Sequence, residues 1–139
     1  MKIEFPIYVT PMGAVRMTQR SKWTDPIAQK YMAYKSQIGY TARKHVAEPL
    51  DRPVRVTIGF YYPIPKSWSK TKREDANDQG IMPAVKPDID NCIKGVFDAL
   101  NKIAWKDDNL VVEVSSFKRY SYSPMIYVTI QGIEEALAG

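Results

Sequence analysis

Apolar positions recur along this chain with two different periods, and prolines and glycines interrupt both. From Val54 to Tyr62, Val54, Val56, Ile58 and Phe60 alternate with Arg55, Thr57 and Gly59, which predicts a half-buried strand. Ile3 to Val9 reads as a shorter strand, and Pro6 confines it to a sheet edge or a bulge. Asp25-Pro26 supplies an N-cap and a first-turn proline. Ile27, Tyr31, Tyr34, Ile38 and Ala42 then follow at helical spacing, predicting an amphipathic helix that ends near Val46. Ile89, Cys92, Ile93, Val96, Phe97 and Leu100 form a second stripe, on a helix from about Ile89 to Lys102. Leu110 to Lys118 and Met125 to Gln131 read as strands, expected as an antiparallel hairpin about the turn at residues 120–124. Residues 132–139 are expected as a short helical tail.

Two stretches lack a period. Residues 10–24 are basic and read as a loop. Residues 63–87 hold four prolines and a polar run, and are expected as a long mobile loop. The order β-α-β-loop-α-β-β predicts one α+β (α/β-like) domain over residues 1–139. It should have a mixed sheet with two main helices packed on it.

Composition narrows the function. A length of 139 residues suits one domain. No apolar run approaches the ~20 residues that span a bilayer, so no membrane association is expected. Glu4 and Pro6 interrupt the place where an export signal would be apolar, so a cytoplasmic location is expected. The single cysteine, Cys92, and single histidine, His45, exclude a zinc site built from those residue types alone. A bound metal would be held by carboxylates and would be hard, Mg²⁺ or alternatively Mn²⁺.

The net charge is +5, and all of the excess lies in residues 1–50, which hold eight Lys/Arg against three acids. A localised basic surface favours a polyanionic partner. Arg16, Arg20 and Lys22 in the first loop are candidate phosphate contacts, with Lys86 a further candidate; the competing reading is a solvated loop.

The richest stretch runs from Lys86 to Glu113 (KPDIDNCIKGVFDALNKIAWKDDNLVVE). Asp88 falls at the helix start, and Asp90 and Lys94 share a face away from the apolar stripe. Asp107 and Asp108 precede a strand and join the pair if that strand's start lies beside the helix's N-terminal end. Phosphodiester cleavage calls for such a cluster: two or three carboxylates hold a divalent ion that activates water and offsets phosphoryl charge. A nearby lysine can neutralise developing negative charge. Each piece also has a plain structural reading. Asp88 and Asp90 suit a helix N-terminus, Asp90–Lys94 suits a surface ion pair, and Asp107-Asp108 suits a turn.

Asp88-Ile89-Asp90-Asn91-Cys92-Ile93-Lys94, then Phe97-Asp98-Ala99-Leu100, then Trp105-Lys106-Asp107-Asp108 together resemble the RusA-type Holliday junction resolvases of bacteria and phages. The resemblance is close over about residues 86–118 and holds only in outline before them. It implies a homodimeric, Mg²⁺-dependent endonuclease of recombination and repair that nicks two opposed strands of a four-way DNA junction. Asp88, Asp90 and Asp108 would be the metal-site carboxylates and Lys94 the catalytic lysine, with Asp107 the neighbour. Asp98 matches a family position but reads as structural. The segment before Asp88 is less basic than in some members, and the loop at 63–87 is longer than in compact ones.

Other residues have simpler readings. Trp68 is either a wedge at an open junction or an anchor on the body. Tyr31 and Tyr34 belong to the core stripe, Cys92 reads as a buried inert thiol, and His45 as an ordinary residue at a helix end. Two alternatives to a resolvase stay open: a non-catalytic DNA-binding accessory protein with the same fold, and a less selective metal-dependent nuclease.

Overall fold

The computed structural model describes residues 1–134. The elements are β1 (Lys2–Ile7), α1 (Ser21–Thr24), α2 (Pro26–Arg43), β2 (Val54–Pro63), α3 (Lys70–Asn77), α4 (Ile89–Leu100), β3 (Val111–Ser121) and β4 (Met125–Gly132). A 3₁₀ turn at Asp108–Leu110 leads into β3. The four strands form one mixed sheet in the order β1-β4-β2-β3. β2 runs parallel to β3 and antiparallel to β4, and β4 is antiparallel to β1. This is the α+β arrangement expected, with β1 at an edge where Pro6 is tolerated.

Two expectations are corrected. β3 and β4 do not form a hairpin: β2 lies between them, and Tyr122–Pro124 crosses the end of β2 at Pro63. The apolar pattern of each strand is the same in either arrangement, because both edges of a strand carry the same face alternation. Residues 63–87 are not an unbroken loop but carry α3, capped where Lys72 N donates to Ser69 Oγ at 3.2 Å. Trp68 packs edge-on against Tyr120 at 5.4 Å, so it is an anchor on the body. Asn77 Oδ1 accepts from Tyr122 N at 3.0 Å, tying the end of α3 to the β3–β4 connection. The expected tail over 132–139 starts while β4 still runs, and residues 135–139 lie outside the described part.

One face of the sheet carries the core. Phe5, Ile7, Val54, Val56, Ile58, Phe60, Ile126, Val128 and Ile130 are fully buried against α2 and α4. α2 is capped as expected, Ile27 N donating to Asp25 Oδ1 at 2.9 Å. It buries Ala28, Tyr31, Tyr34, Ile38 and Ala42, whereas Ile27, placed on the stripe by spacing, is 61% exposed. α4 buries Cys92, Val96 and Leu100, with Gly95 and Ala99 giving it close approach. Trp105, fully buried, closes the far end of α4 with its ring edge-on to Phe97 at 5.5 Å. Among the described residues no helix is long and apolar enough to cross a membrane.

Candidate active site

α4 begins at Asp88, whose backbone is extended (φ −67°, ψ 150°) and whose side chain makes no capping hydrogen bond. An aspartate here would ordinarily accept from the next turn's amides. Asp88 leaves them unused and presents its carboxylate to solvent. Asp90, in the first turn, is exposed as well, and the described residues give it no ion pair with Lys94. Neither a capping hydrogen bond nor an Asp90–Lys94 ion pair is formed among the described residues; of the plain readings, placement at the favourable end of the helix dipole stands. Two carboxylates stand without hydrogen-bond or ion-pair partners among the described residues at the positive end of a helix, with an exposed lysine one turn further on. That donor set fits a hard divalent cation.

The position of these groups is set from two sides. Tyr62, at the end of β2, donates its O–H to the carbonyl of Pro87, the residue before Asp88. Burial, then the Cys92 thiol bonded to it and the nearby charge of Asp88, push that phenol well above its ordinary range. It stays a donor across the working pH range. Burial first, and the Asp88 and Asp90 charges after it, raise the Cys92 thiol, with Tyr62 and Lys118 opposing; the thiol is buried and inert. The Lys86–Pro87 peptide bond is cis.

From the other side, Asn91 fastens the first basic loop to α4. Ala14 N donates to the Asn91 carbonyl at 3.1 Å, and Asn91 Nδ2 donates to the Ala14 carbonyl at 3.3 Å. A Cβ on Gly13 would run into Asn91 Nδ2 and would have to displace that amide from Ala14. Asn91 and Gly13 are uncharged and lie on no apolar stripe, so the sequence pattern marks neither, although Asn91 sits inside the acidic motif. Pro11, Met12, Gly13, Lys86, Pro87, Asp88 and Asn91 line a recess of about 460 Å³ beside the carboxylates. Arg16 and Arg20 extend from this loop exposed, and Lys22 lies on α1. Thr18 and Ser21 cap that turn reciprocally, each backbone N–H donating to the other's hydroxyl at 2.8 and 3.0 Å. The loop and Lys86 therefore border the acidic site.

Asp107 and Asp108 do not. α4 carries the chain away from Asp88 for twelve residues, about 18 Å. The turn into β3 lies at that far end, where Leu50 pairs with Trp105. The part of β3 that returns to the site is its C-terminal end, where Lys118 Nζ donates to the Val85 carbonyl at 2.6 Å. Asp108 accepts from the Trp105 indole N–H at 2.7 Å, and Asp107 accepts from Asn109 N at 3.2 Å. Among the described residues no three acidic, histidine or cysteine side chains come together as a metal cage. Asp98 accepts from the Tyr31 hydroxyl at 3.2 Å, the structural role expected of it.

A sequence comparison finds a protein of Bacillus subtilis strain 168, the uncharacterized protein YqaN, 36% identical over 140 residues, spanning 94% of this chain and 96% of that one. The family model for endodeoxyribonuclease RusA matches residues 6–131, from β1 through β4 and across both the first loop and the acidic motif. The chain therefore belongs to the RusA endodeoxyribonuclease family.

Proposed function

We propose that this protein is a Mg²⁺-dependent, structure-selective endonuclease that resolves four-way DNA junctions by paired nicks in recombination and repair. The observation that carries the reading is the pair of unpartnered carboxylates, Asp88 and Asp90, on the first turn of α4 with Lys94 on the same helix. Mg²⁺, with Mn²⁺ as the alternative, would be held by Asp88 and Asp90, and when bound it activates water and offsets phosphoryl charge. Lys94 offers a positive charge to the phosphoryl oxygens as negative charge develops. Arg16, Arg20, Lys22 and Lys86 hold the sugar–phosphate backbone, and Asn91 keeps their loop in register with the carboxylates.

Resolution needs two cuts, and a two-fold homodimer supplies two identical sites. The edge of β3 suits the contact: Val112 and Val114 are exposed on it, its start follows Asp107 and Asp108, and its end bears Lys118 and Arg119. Antiparallel pairing of two such edges sets acidic start against basic end. Such a pairing would bring Asp108 of a second copy toward Asp88 and Asp90, offering as third ligand the carboxylate oxygen that the Trp105 N–H does not bond.

The test is incubation with Mg²⁺ and labelled four-way junction, duplex, single-stranded DNA and RNA side by side. Symmetrical paired cuts confined to the junction are expected. Equal cutting of all substrates would leave a less selective nuclease, and metal-independent binding with no cutting would leave an accessory protein.

A further inference from the structure

Where β2 ends and β4 begins, Pro63, Ile64, Lys66, Arg73, Tyr122 and Pro124 enclose a pocket of about 330 Å³. Two of these residues are cations and none is an acid. Arg73 reaches it from α3, and its Nε is buried with no hydrogen-bond partner among the described residues. Among the described residues Arg73 takes part in no ion pair. The acids nearby in sequence do not pair with it, and the Asp75 carboxylate lies against Gly80. A guanidinium is always charged, and Arg73 lines the pocket with no carboxylate to pair it, so its charge is left for an anionic ligand. Lys72, one residue away, is already engaged over the Trp68 ring at 4.0 Å. The recess thus offers a forked donor, a second free cation in Lys66 and apolar walls that lower the local dielectric. Tyr122, 56% exposed, adds an aromatic face at the rim.

We propose that the Lys66–Arg73 pocket binds a phosphate group of the DNA backbone, a subsite distinct from the acidic site and from the basic first loop. Phosphate also exists as the free anion, but placement favours a strand. Pro63 directly follows Tyr62, whose hydroxyl holds Pro87 beside Asp88, so pocket and carboxylates share one support at one end of the sheet. α3, polar in sequence, holds Arg73 at the strand ends and is fixed through Asn77 to Tyr122. It rests on the reading that this chain binds DNA.

The experiment omits divalent metal, so that it does not depend on cutting. Binding of a labelled four-way junction and of a single-stranded oligonucleotide is measured against salt for the wild type, Arg73→Gln and Lys66→Gln. The Arg73 Nε–H signal is followed by NMR during titration with inorganic phosphate and with the oligonucleotide. Each variant should flatten the log–log salt slope by about 0.7–0.9 per lost contact, and the oligonucleotide should shift the Nε–H signal. Lys66 is exposed, so its variant carries the test if Arg73→Gln disturbs α3. Unchanged slopes with an unmoved Nε–H signal would overturn the subsite alone. A signal that answers phosphate but not DNA would reassign the pocket to a free anion and overturn the proposal. Absence of any DNA binding by the wild type would overturn both this proposal and the functional reading.

Discussion

Two pairs of aspartates, Asp88 and Asp90 at one end of α4 and Asp107 and Asp108 beyond the other, look interchangeable in sequence, yet the fold uses them in opposite ways. Asp107 accepts a backbone N–H at the 3₁₀ turn, and Asp108 accepts the indole N–H of a fully buried tryptophan. Those carboxylates are employed in holding the chain. Asp88 declines the capping role its position offers, and Asp90 leaves Lys94 unpaired. A carboxylate that no hydrogen bond or ion pair of its own chain engages is available for a cation. Acidic residues near a helix start are to be judged by what they are bonded to, not by their spacing.

The largest expected effect breaks the comparison on the reactive side. Asp90→Asn should keep fold and junction binding and lower single-turnover cleavage by orders of magnitude, because the side chain keeps its shape and loses its charge. Near wild-type cutting by the purified variant would move the site elsewhere. Lys94→Ala should follow with a smaller loss, in the chemical step more than in binding. An unchanged single-turnover rate would make Lys94 a surface residue.

On the structural side the order reverses. Asp108→Ala should cost about 1–2 kcal/mol in urea unfolding, since the buried Trp105 N–H loses its acceptor. Asp88→Ala should cost far less, having no cap bond to lose. Equal costs would erase the distinction between the two pairs. Replacing Arg16, Arg20 and Lys22 with alanine should weaken binding to all DNA and flatten its salt dependence by up to about one log–log unit per phosphate contact.

The smallest effect calibrates what an ordinary surface carboxylate does. Arg55 bonds Glu113 across β2 and β3 and holds its carboxyl below the usual range. A lowered folded-state pKa means stability present above the ordinary carboxylate range and lost as pH falls through the folded value. Glu113→Gln should therefore lower Tm slightly near neutral pH and not at all in strong acid. A loss that persists in acid would have another origin.

Much of this arrangement is legible in residue order, and the failures have physical causes. α2, β2 and α4 each bury one face, so their periods declare them. α3 does not: in Lys70–Asn77 the only buried residue is Ala76, and a helix without an apolar stripe gives pattern reading nothing to find. The order of β3, β2 and β4 escaped because the Tyr122–Pro124 connection looks local while it crosses a strand. The first turn of α4 was readable as a candidate site because its groups are close in sequence. Asp108 was not, since its distance from Asp88 follows from the direction in which β3 returns along α4. The roles of Asn91 and Gly13 needed contacts some 77 residues apart to become visible.

The central claim is that the metal belongs at the first turn of α4. Mn²⁺ titration of the ¹⁵N-labelled protein tests it directly, because a paramagnetic ion broadens the amides closest to it. The account predicts that broadening starts at Asp88–Asn91 and Lys94, and disappears from that turn in Asp90→Asn. Broadening centred at another acidic surface, or unchanged in Asp90→Asn, would contradict it.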